Sequence, residues 1–208
     1  MSELSLLQRI AGALVSRPFI YDLVQSLAGQ GYVVERLKAK AGRLPHARVL
    51  DVGSSAGRMA LRIGLIPVCL DLDARPILAI QKRGETLRAV VGDAALLPFP
   101  DAHFDLSLCV ALFHHIDDPT LARVVGELSR VTSGHLLLLD PLRNDRRKTS
   151  RWLWKYDRGR HPRTREELTR SLEPAFQILD AEEFAVYHQY LLCVAKPLRA
   201  PAPTAGSR

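Results

Sequence analysis

Asp51 and the glycine-rich loop that follows it are the residues whose types and spacing point most directly to chemistry. Asp51 lies in the apolar run RVLDV, and the loop GSSAG extends from Gly53 to Gly57. An aliphatic, β-branched run that ends in such a loop is typical of a buried parallel strand that turns into a helix. Two glycines let the backbone pass close to a ligand, and a helix that begins near Ala56 points its free N–H groups into the loop. The stretch therefore predicts a binding site for a small molecule.

The residues of this loop also indicate which small molecule it binds. A loop for the pyrophosphate of a dinucleotide has the spacing GxGxxG, whereas this chain has Ser55 at the third loop position and Arg58 after Gly57. The carboxylate of Asp51, two residues before the first glycine, attracts a cation and repels an anion. S-adenosylmethionine carries an ammonium and a sulfonium, so the loop favours this cofactor over a nicotinamide cofactor.

A second carboxylate, Asp71, ends the apolar run LIPVCL and follows Gly53 by 18 residues. Doubly wound folds place a ribose-binding acid at a spacing of about 20 residues. Such a carboxylate binds the two ribose hydroxyls through both of its oxygens. Asp73 would point the same way in an extended chain and is the alternative to Asp71.

His114 and His115 follow another apolar run, FDLSLCVA, which predicts a fourth strand. In open α/β sheets, ligands bind beyond the carboxyl ends of the strands, where the strand order reverses. Either imidazole can serve as a general base near neutral pH, or the pair can shape the pocket and hydrogen-bond the loop. Asp140 ends the fifth predicted strand, GHLLLL, and either contacts the substrate or starts a turn before Pro141.

Residues 45–140 resemble the class I S-adenosylmethionine-dependent methyltransferases, in the methyltransferase type 11 group that includes the ubiquinone and menaquinone C-methyltransferases. The resemblance implies an α/β fold, with a doubly wound (Rossmann-like), seven-stranded, mostly parallel sheet and helices on both faces. It also implies methyl transfer from S-adenosylmethionine to a small-molecule or lipid-linked acceptor. Ser55 departs from the family, whose loop usually has a glycine at this position.

The resemblance further implies a role for each site residue. Leu72 packs on the adenine, Asp93 accepts a hydrogen bond from its exocyclic amine, and the N–H of Ala94 donates to its ring. The backbone near Val110 accepts from the ammonium of the cofactor. The acceptor side of the site, with the catalytic candidates, consists of His114, His115 and Asp140. The complete cofactor-binding set is Asp51, Gly53, Ser55, Gly57, Asp71, Leu72, Asp93, Ala94 and Val110.

The length of 208 residues fits one methyltransferase domain, which we expect over residues 1–196. Apolar residues at helical spacing predict a helical cap over residues 1–44, whose second helix begins at Phe19, after the break at Pro18, and ends at Leu37. The proline- and alanine-rich tail, residues 197–208, is expected to be disordered. In the resembled family the N-terminal helices cover the active site, so three aromatic residues of the cap are expected either to touch a ligand or to pack in the core: Phe19, Tyr21 and Tyr32.

The formal charge of +7 is concentrated in one segment. Residues 141–170 contain eleven basic and four acidic residues, and Trp152, Trp154 and Tyr156 lie among them. Such a mixture suits contact with RNA, contact with an anionic membrane surface, or a basic lid over the substrate at residues 141–163; a solvated loop is the fourth interpretation. The alternatives to a small-molecule methyltransferase are therefore an RNA methyltransferase and a non-catalytic partner protein with the same fold.

The three cysteines, Cys69, Cys109 and Cys193, each lie in an apolar run, where a reduced cysteine acts as a small hydrophobic residue. Their spacing suits neither a zinc site nor a disulfide framework. The first residues lack the pattern of a signal peptide, and no apolar run reaches the roughly 18 residues that a spanning helix needs. We expect a cytoplasmic protein, and the sequence does not indicate its oligomeric state.

Overall fold

The computed structural model describes five parts of the chain, which are residues 30–82, 87–144, 154, 159–186 and 188–198. Phe19 and Tyr21, most of the predicted basic lid and the predicted disordered tail beyond residue 198 lie outside these parts. In the described parts, no helix has both the length and the apolar character needed to cross a bilayer.

Within these parts, seven strands form one sheet. They are β1 (Val49–Val52), β2 (Val68–Asp71), β3 (Arg88–Val91), β4 (Phe104–Val110), β5 (Thr132–Leu142), β6 (Phe176–Ala185) and β7 (Gln189–Pro197). Their order in the sheet is β3-β2-β1-β4-β5-β7-β6. All neighbours pair in parallel except β7, which runs antiparallel to both β5 and β6. This topology confirms the doubly wound, seven-stranded, mostly parallel sheet that was expected.

Helices connect these strands. In the described parts they are α1 (Gln30–Ala41), α2 (Arg58–Arg62), α3 (Ala74–Lys82), α4 (Asp118–Val131) and α5 (Arg165–Leu172). A short 3₁₀ helix, Phe113–His115, follows β4 and is called the histidine turn below.

Local sequence signals set the start of two of these helices. The carboxylate of Asp117 accepts a hydrogen bond of 2.9 Å from the N–H of Thr120, which caps α4, and Pro119 occupies the first turn. Thr164 and Glu167 form a capping box at the start of α5. Each cap satisfies N–H groups that a helix cannot pair internally, so the local sequence fixes where both helices begin.

The central strands of the sheet are buried on both faces. Leu50 and Val52 of β1 pack in the same cluster as the apolar side of α4, whereas Val49 packs in a second cluster with Val33 and Leu37 of α1. Successive side chains of a strand point to opposite faces, so each central strand needs apolar residues at every position. This explains why the strands appear in the sequence as unbroken apolar runs.

Three elements differ in length from the prediction. β5 extends from Thr132 to Leu142, beyond the predicted Gly134–Leu139, because its pairing with β7 continues to the pair Leu142 and Gln189. α2 begins at Arg58, two residues later than expected, because Gly57 has a left-handed conformation. α1 continues to Ala41, past the predicted end at residue 37.

Candidate active site

The loop after β1 needs glycine at both of its ends. Gly53 and Gly57 each have a φ of 69°, in the region that favours glycine. A Cβ on Gly53 would lie 3.0 Å from the Cδ1 atom of Leu112, and a Cβ on Gly57 would lie 2.9 Å from the Sγ atom of buried Cys69. The two glycines therefore serve a close turn, as the sequence predicts.

Ser55, where the family usually has glycine, also adopts a left-handed conformation, with a φ of 49°. Its N–H donates a hydrogen bond of 2.8 Å to the Oδ2 atom of Asp71. The Oδ1 atom of Asp71 accepts a bond of 2.9 Å from the N–H of Asp73. Asp71 thus fixes the loop to the end of β2, and each of its oxygens keeps a second lone pair for a ligand hydroxyl.

Asp51 is 3 % exposed and lies beside Asp71 at the same end of the sheet. Burial, and then the neighbouring charge of Asp71, raise the pKa of Asp51 from 3.8 to about 8. No described side chain or N–H group donates a hydrogen bond to its carboxyl group. Asp51 is therefore mainly protonated at neutral pH, and the attraction expected for a cation begins only when this proton leaves.

The structure separates the two candidates for the ribose. The guanidinium of Arg75 donates to the carboxylate of Asp73, with Nε 3.0 Å from both oxygens. These bonds lower the pKa of Asp73 to about 2. Asp73 therefore has a partner of its own, which leaves Asp71 as the better-placed residue for a ribose.

The residues expected around the adenine lie at the ends of β2 and β3. Leu72 is 73 % exposed, as a side chain that packs on a ligand would be before the ligand binds. The Oδ1 atom of Asp93 accepts a bond of 2.8 Å from the N–H of Ala95, so this residue also shapes the turn that contains Ala94. The role of these three residues in binding stays a prediction.

Arg130 of α4, a residue that the sequence did not indicate, holds the loop that follows Asp93. Its guanidinium donates to the carbonyl of Phe99 at 2.8 Å and to that of Leu97 at 3.0 Å. Glu127, one helical turn earlier, accepts from the N–H of Leu97 at 2.7 Å. The hydrogen bonds between the side chains of Arg130 and Glu127 raise the pKa of Arg130. The loop beside the expected adenine site is thus fixed by α4.

At the end of β4, the chain turns through a strained residue. β4 ends at Val110, and Ala111 has a φ of 54°. A residue with a Cβ pays about 1–2 kcal/mol for this conformation. The N–H of Ala111 donates a hydrogen bond of 2.8 Å to the carbonyl of Leu139 on β5. Strain of this kind concentrates at ligand sites, and here it turns the chain from Val110, the residue expected near the ammonium, into the histidine turn.

Asp140 holds the histidine turn in place. Its Oδ2 atom accepts from the N–H of Phe113 at 2.8 Å, and its Oδ1 atom accepts from the N–H of His114 at 3.1 Å. The Nδ1 atom of His114 lies 3.0 Å from the same Oδ1 atom. Asp140 and His114 are only 2 % and 4 % exposed. Asp140 therefore lies inside β5 as a partner of the turn, and the expected turn before Pro141 is wrong.

The two histidines differ in their surroundings. The ring of His114 is buried against Asp140, whereas His115 is exposed. The two ring centroids are 4.0 Å apart, with 40° between the planes. His115 is therefore the imidazole that an acceptor molecule reaches more directly, and His114 is the one whose orientation is fixed.

The buried Arg163 is a second support of the histidine turn. Its guanidinium donates to the carbonyl of Phe113 at 2.7 Å, to that of Ile116 at 2.8 Å and to the carboxylate of Asp118 at 2.6 Å. Its own carbonyl accepts from the N–H of Arg143 at 2.7 Å. The two ends of the predicted lid are thus joined to each other beside the turn.

Among the basic residues of this segment that the structure describes, more than half form ion pairs. Five of its eleven basic residues are described, and three of these form ion pairs with described acids. The pairs are Arg143 with Glu167, Arg163 with Asp118 and Arg165 with Glu183. The charges of these three arginines are therefore neutralised within the described part of the fold.

A row of aromatic rings connects α1 to the histidine turn. Neighbouring ring centroids in this aromatic row are 4.0–6.2 Å apart, within or near the range of favourable ring contacts. Tyr32 and His115 form its exposed ends, so Tyr32 packs against a ring and also faces solvent. In order, the row is Tyr32, Phe184, Tyr190, His188, Trp154, His114 and His115.

The strand order, the antiparallel β7 and the glycine loop after β1 define the class I methyltransferase fold. Residues 50–138 match the family model described as "Methyltransferase domain". This stretch, which is less than half of the chain, is therefore similar to methyltransferase domains, as the resemblance predicts. The match supports S-adenosylmethionine as the cofactor of the domain.

Two curated relatives match part of the chain. The chain is 35 % identical over 114 residues to the uncharacterized methyltransferase YcgJ of Bacillus subtilis (strain 168). The matched stretch covers 50 % of this chain and 44 % of that protein. The chain is 33 % identical over 142 residues to the demethylmenaquinone methyltransferase of Deinococcus radiodurans, which covers 58 % and 55 %. The chain thus spans about half the length of the curated relatives it matches.

A solved structure matches almost the whole chain. The 1,6-didemethyltoxoflavin-N1-methyltransferase of Burkholderia thailandensis, with 1,6-didemethyltoxoflavin and S-adenosylhomocysteine bound, has a TM-score of 0.64 and 20 % identity. The match covers 91 % of this chain and 89 % of that one. At this level of identity, the likeness shows the fold.

Proposed function

We propose that this chain is an S-adenosylmethionine-dependent methyltransferase whose acceptor is a small or lipid-linked molecule with a planar ring. The observation that carries the proposal is the convergence of two groups of residues at one edge of the sheet. The ends of β1 and β2 bring Asp51 and Asp71 to the glycine loop, and the end of β4, the next strand in the sheet, brings the histidine turn beside them. Ligands bind at this position in open α/β sheets.

On the cofactor side, the roles follow from the chemistry of each group. Bound S-adenosylmethionine supplies an electrophilic methyl group on a sulfonium. Asp71 binds the ribose hydroxyls through the lone pairs left by its two backbone bonds. Leu72 packs on the adenine, and Asp93 and the N–H of Ala94 bind its edge. Asp51, once ionised, and the carbonyl of Val110 bind the positively charged end.

On the acceptor side, the proposal rests on the aromatic row and the histidine turn. A planar ring gains favourable offset or edge contacts against such rings. Methyl transfer depends mainly on an in-line approach, which a fixed pocket wall provides, and needs a base only when the acceptor loses a proton. His115 is the base in that case because it is exposed, whereas Asp140 holds His114 as part of the wall.

The RNA alternative receives less support, because Arg143, Arg163 and Arg165 have partners within the fold. Binding of RNA that falls steeply with salt would restore this alternative. Contact with an anionic membrane and a cytoplasmic location stay predictions.

The test is a calorimetric titration with S-adenosylmethionine, followed by transfer of its labelled methyl group. We expect Asp71→Asn to raise the Kd about tenfold or more, because two charge-assisted bonds to the ribose weaken. Asp73→Asn is the matched control and should change the Kd less than about threefold, because Arg75 already occupies that carboxylate. An equal effect of both variants would remove the ribose assignment.

The acceptors named for two of the matched proteins, demethylmenaquinone and 1,6-didemethyltoxoflavin, are the first to test in the transfer assay. Labelled product with a ring acceptor, reduced in His115→Ala at unchanged cofactor affinity, is the expected result. Tight cofactor binding without transfer to a broad panel of ring acceptors would instead favour the non-catalytic partner protein.

A further inference from the structure

A cleft of about 580 Å³ lies between α4, α5 and the residues just before α5. This volume is typical of a site for a small ligand. None of the residues assigned to the cofactor or the acceptor lines it. The arginines and acidic residues that line this arginine cleft are Arg143, Arg160, Arg163, Arg170, Asp118 and Glu167.

The charges of the arginine cleft do not balance. Two of its four arginines are neutralised within it, Arg143 by Glu167 at 3.1 Å and Arg163 by Asp118 at 2.6 Å. The other two, Arg160 and Arg170, form no ion pair or hydrogen bond with any described residue. The cleft therefore keeps a surplus of two positive charges.

Glu166 is an additional acid that interacts with one of these two arginines. It lies one helical turn before Arg170 and interacts with it electrostatically, but it is fully exposed and does not line the cleft. An exposed pair of this kind is worth little. Glu166 therefore does not cancel the charge inside the cleft.

The two unpaired arginines are attached to fixed parts of the fold. Arg170 lies on α5, which begins with a capping box and buries Leu168 and Leu172. Arg160 immediately precedes His161, whose N–H donates a hydrogen bond of 3.0 Å to the carbonyl of His114. Fixed backbone positions reduce the entropy lost when the two side chains bind one ligand.

The arrangement suits one chemical class of ligand. A guanidinium donates two parallel hydrogen bonds to the oxygens of a phosphate, and two guanidiniums match the two charges of a phosphate group. Leu121, Pro162 and Pro174 add an apolar wall to the cleft, on which the uncharged part of such a ligand can pack. We propose that the arginine cleft binds a phosphate-bearing anion through Arg160 and Arg170. The phosphate belongs either to a free phosphate compound or to the headgroup of a phospholipid.

The cleft also has a direct connection to the histidine turn. Arg163 forms part of its wall and donates hydrogen bonds to the carbonyls of Phe113 and Ile116. A ligand in the cleft therefore lies against the same guanidinium that holds the turn. The inference itself does not depend on the proposed methyl transfer, since it rests on other residues.

The test uses the full chain and two matched double variants. Arg160→Gln with Arg170→Gln removes the two unpaired charges of the cleft, and Arg43→Gln with Arg88→Gln removes two exposed charges outside it. Calorimetry with inorganic phosphate and pyrophosphate, and sedimentation with vesicles of phosphatidylglycerol or phosphatidylcholine, measure binding. Urea unfolding shows that each variant keeps its fold.

We expect the cleft variant to weaken binding about tenfold or more, and the control variant to change it less than about threefold. Binding of pyrophosphate identifies a free phosphate compound as the source. Binding confined to phosphatidylglycerol vesicles identifies a lipid headgroup. The proposal is overturned if the wild-type chain binds neither pyrophosphate nor these vesicles in a saturable way, or if both double variants weaken binding equally.

Discussion

The raised pKa of Asp51 leads to a specific prediction for cofactor binding. Because the carboxyl group is buried beside Asp71, its pKa lies at about 8 in the free protein. The positive charge of S-adenosylmethionine favours the ionised form, so binding below pH 8 releases the proton of Asp51. The perturbation that tests this linkage is a change of pH, compared between the wild type and Asp51→Asn.

The magnitude follows from the pKa. With a pKa of about 8, roughly one tenth of the molecules have ionised Asp51 at pH 7 and roughly one hundredth at pH 6. The apparent affinity is proportional to the ionised fraction, so the Kd of the wild type should increase about tenfold from pH 7 to pH 6. The amino group of the ligand, with an ordinary pKa near 8, stays charged over this range and does not produce the effect.

Calorimetry in two buffers with different ionisation enthalpies measures the released proton. We expect release of about 0.9 proton per bound ligand at pH 7 by the wild type, and almost none by Asp51→Asn. The Kd of the variant should change less than about twofold between pH 6 and pH 7. The reasoning is refuted if the wild type releases no proton, or if the variant shows the same dependence of Kd on pH.

The same shift links Asp51 to stability. Its pKa is higher in the folded protein than the ordinary value of 3.8, so the protonated group favours the folded state. This contribution is complete below pH 3.8 and falls by about 1.4 kcal/mol per pH unit until it is lost above pH 8. Between pH 5 and pH 8, the free energy of unfolding should therefore fall less for Asp51→Asn than for the wild type, as urea unfolding at the two pH values measures. Equal losses would contradict the linkage.

Three further predictions concern stability, and urea unfolding at one pH measures each of them. Arg163→Met should lower the free energy of unfolding by about 3 kcal/mol, because it leaves buried carbonyl groups unpaired. Arg165→Met is the control and should cost less than about 1 kcal/mol, because it removes only a surface ion pair. Similar costs for the two variants would contradict the role of Arg163. Gly57→Ala should lower the free energy of unfolding by about 3 kcal/mol through backbone strain and a clash of the new Cβ atom. Gly64→Ala should cost only about 1 kcal/mol, because its φ is also positive but no atom lies within 4 Å of the new Cβ atom. An equal cost for the two variants would show that the close contact at Gly57 is unimportant. Asp117→Ala should cost about 1 kcal/mol through loss of the α4 cap, and no change would mean that the cap does not stabilise the helix.

The features that the sequence predicted correctly depend on local interactions. A strand buried on both faces needs apolar residues at consecutive positions, which marks β1, β4 and β5 in the sequence. The glycines at positions 53 and 57 likewise mark the sharp loop in the sequence. In each case one residue type is strongly preferred for a local physical reason.

The features that the sequence did not indicate depend on contacts between distant residues. The length of β5 is set by β7, so Asp140 lies inside the strand and pairs with the histidine turn. Arg163 appears in the sequence as one cation among many, and its burial becomes clear only when the carbonyl groups of Phe113 and Ile116 lie around it. No periodicity or motif predicts such a partner.

Backbone strain was equally invisible in the sequence. Ser55 and Ala111 both have positive φ angles, although neither is a glycine. The N–H groups of both residues are hydrogen-bonded to distant parts of the chain, that of Ser55 to Asp71 and that of Ala111 to the carbonyl of Leu139. Since nearly all residue types occur in turns, serine and alanine give no signal of a left-handed conformation.

The most direct measurement for the proposed enzyme is a crystal structure of the chain with S-adenosylhomocysteine bound. We expect the ligand beyond the ends of β1 and β2, with its ribose hydroxyls on Asp71 and its adenine between Leu72 and Asp93. The histidine turn should lie next to its sulfur atom. A ligand bound elsewhere, or a loop whose own side chains fill that position at saturating ligand, would contradict the assignment of the site.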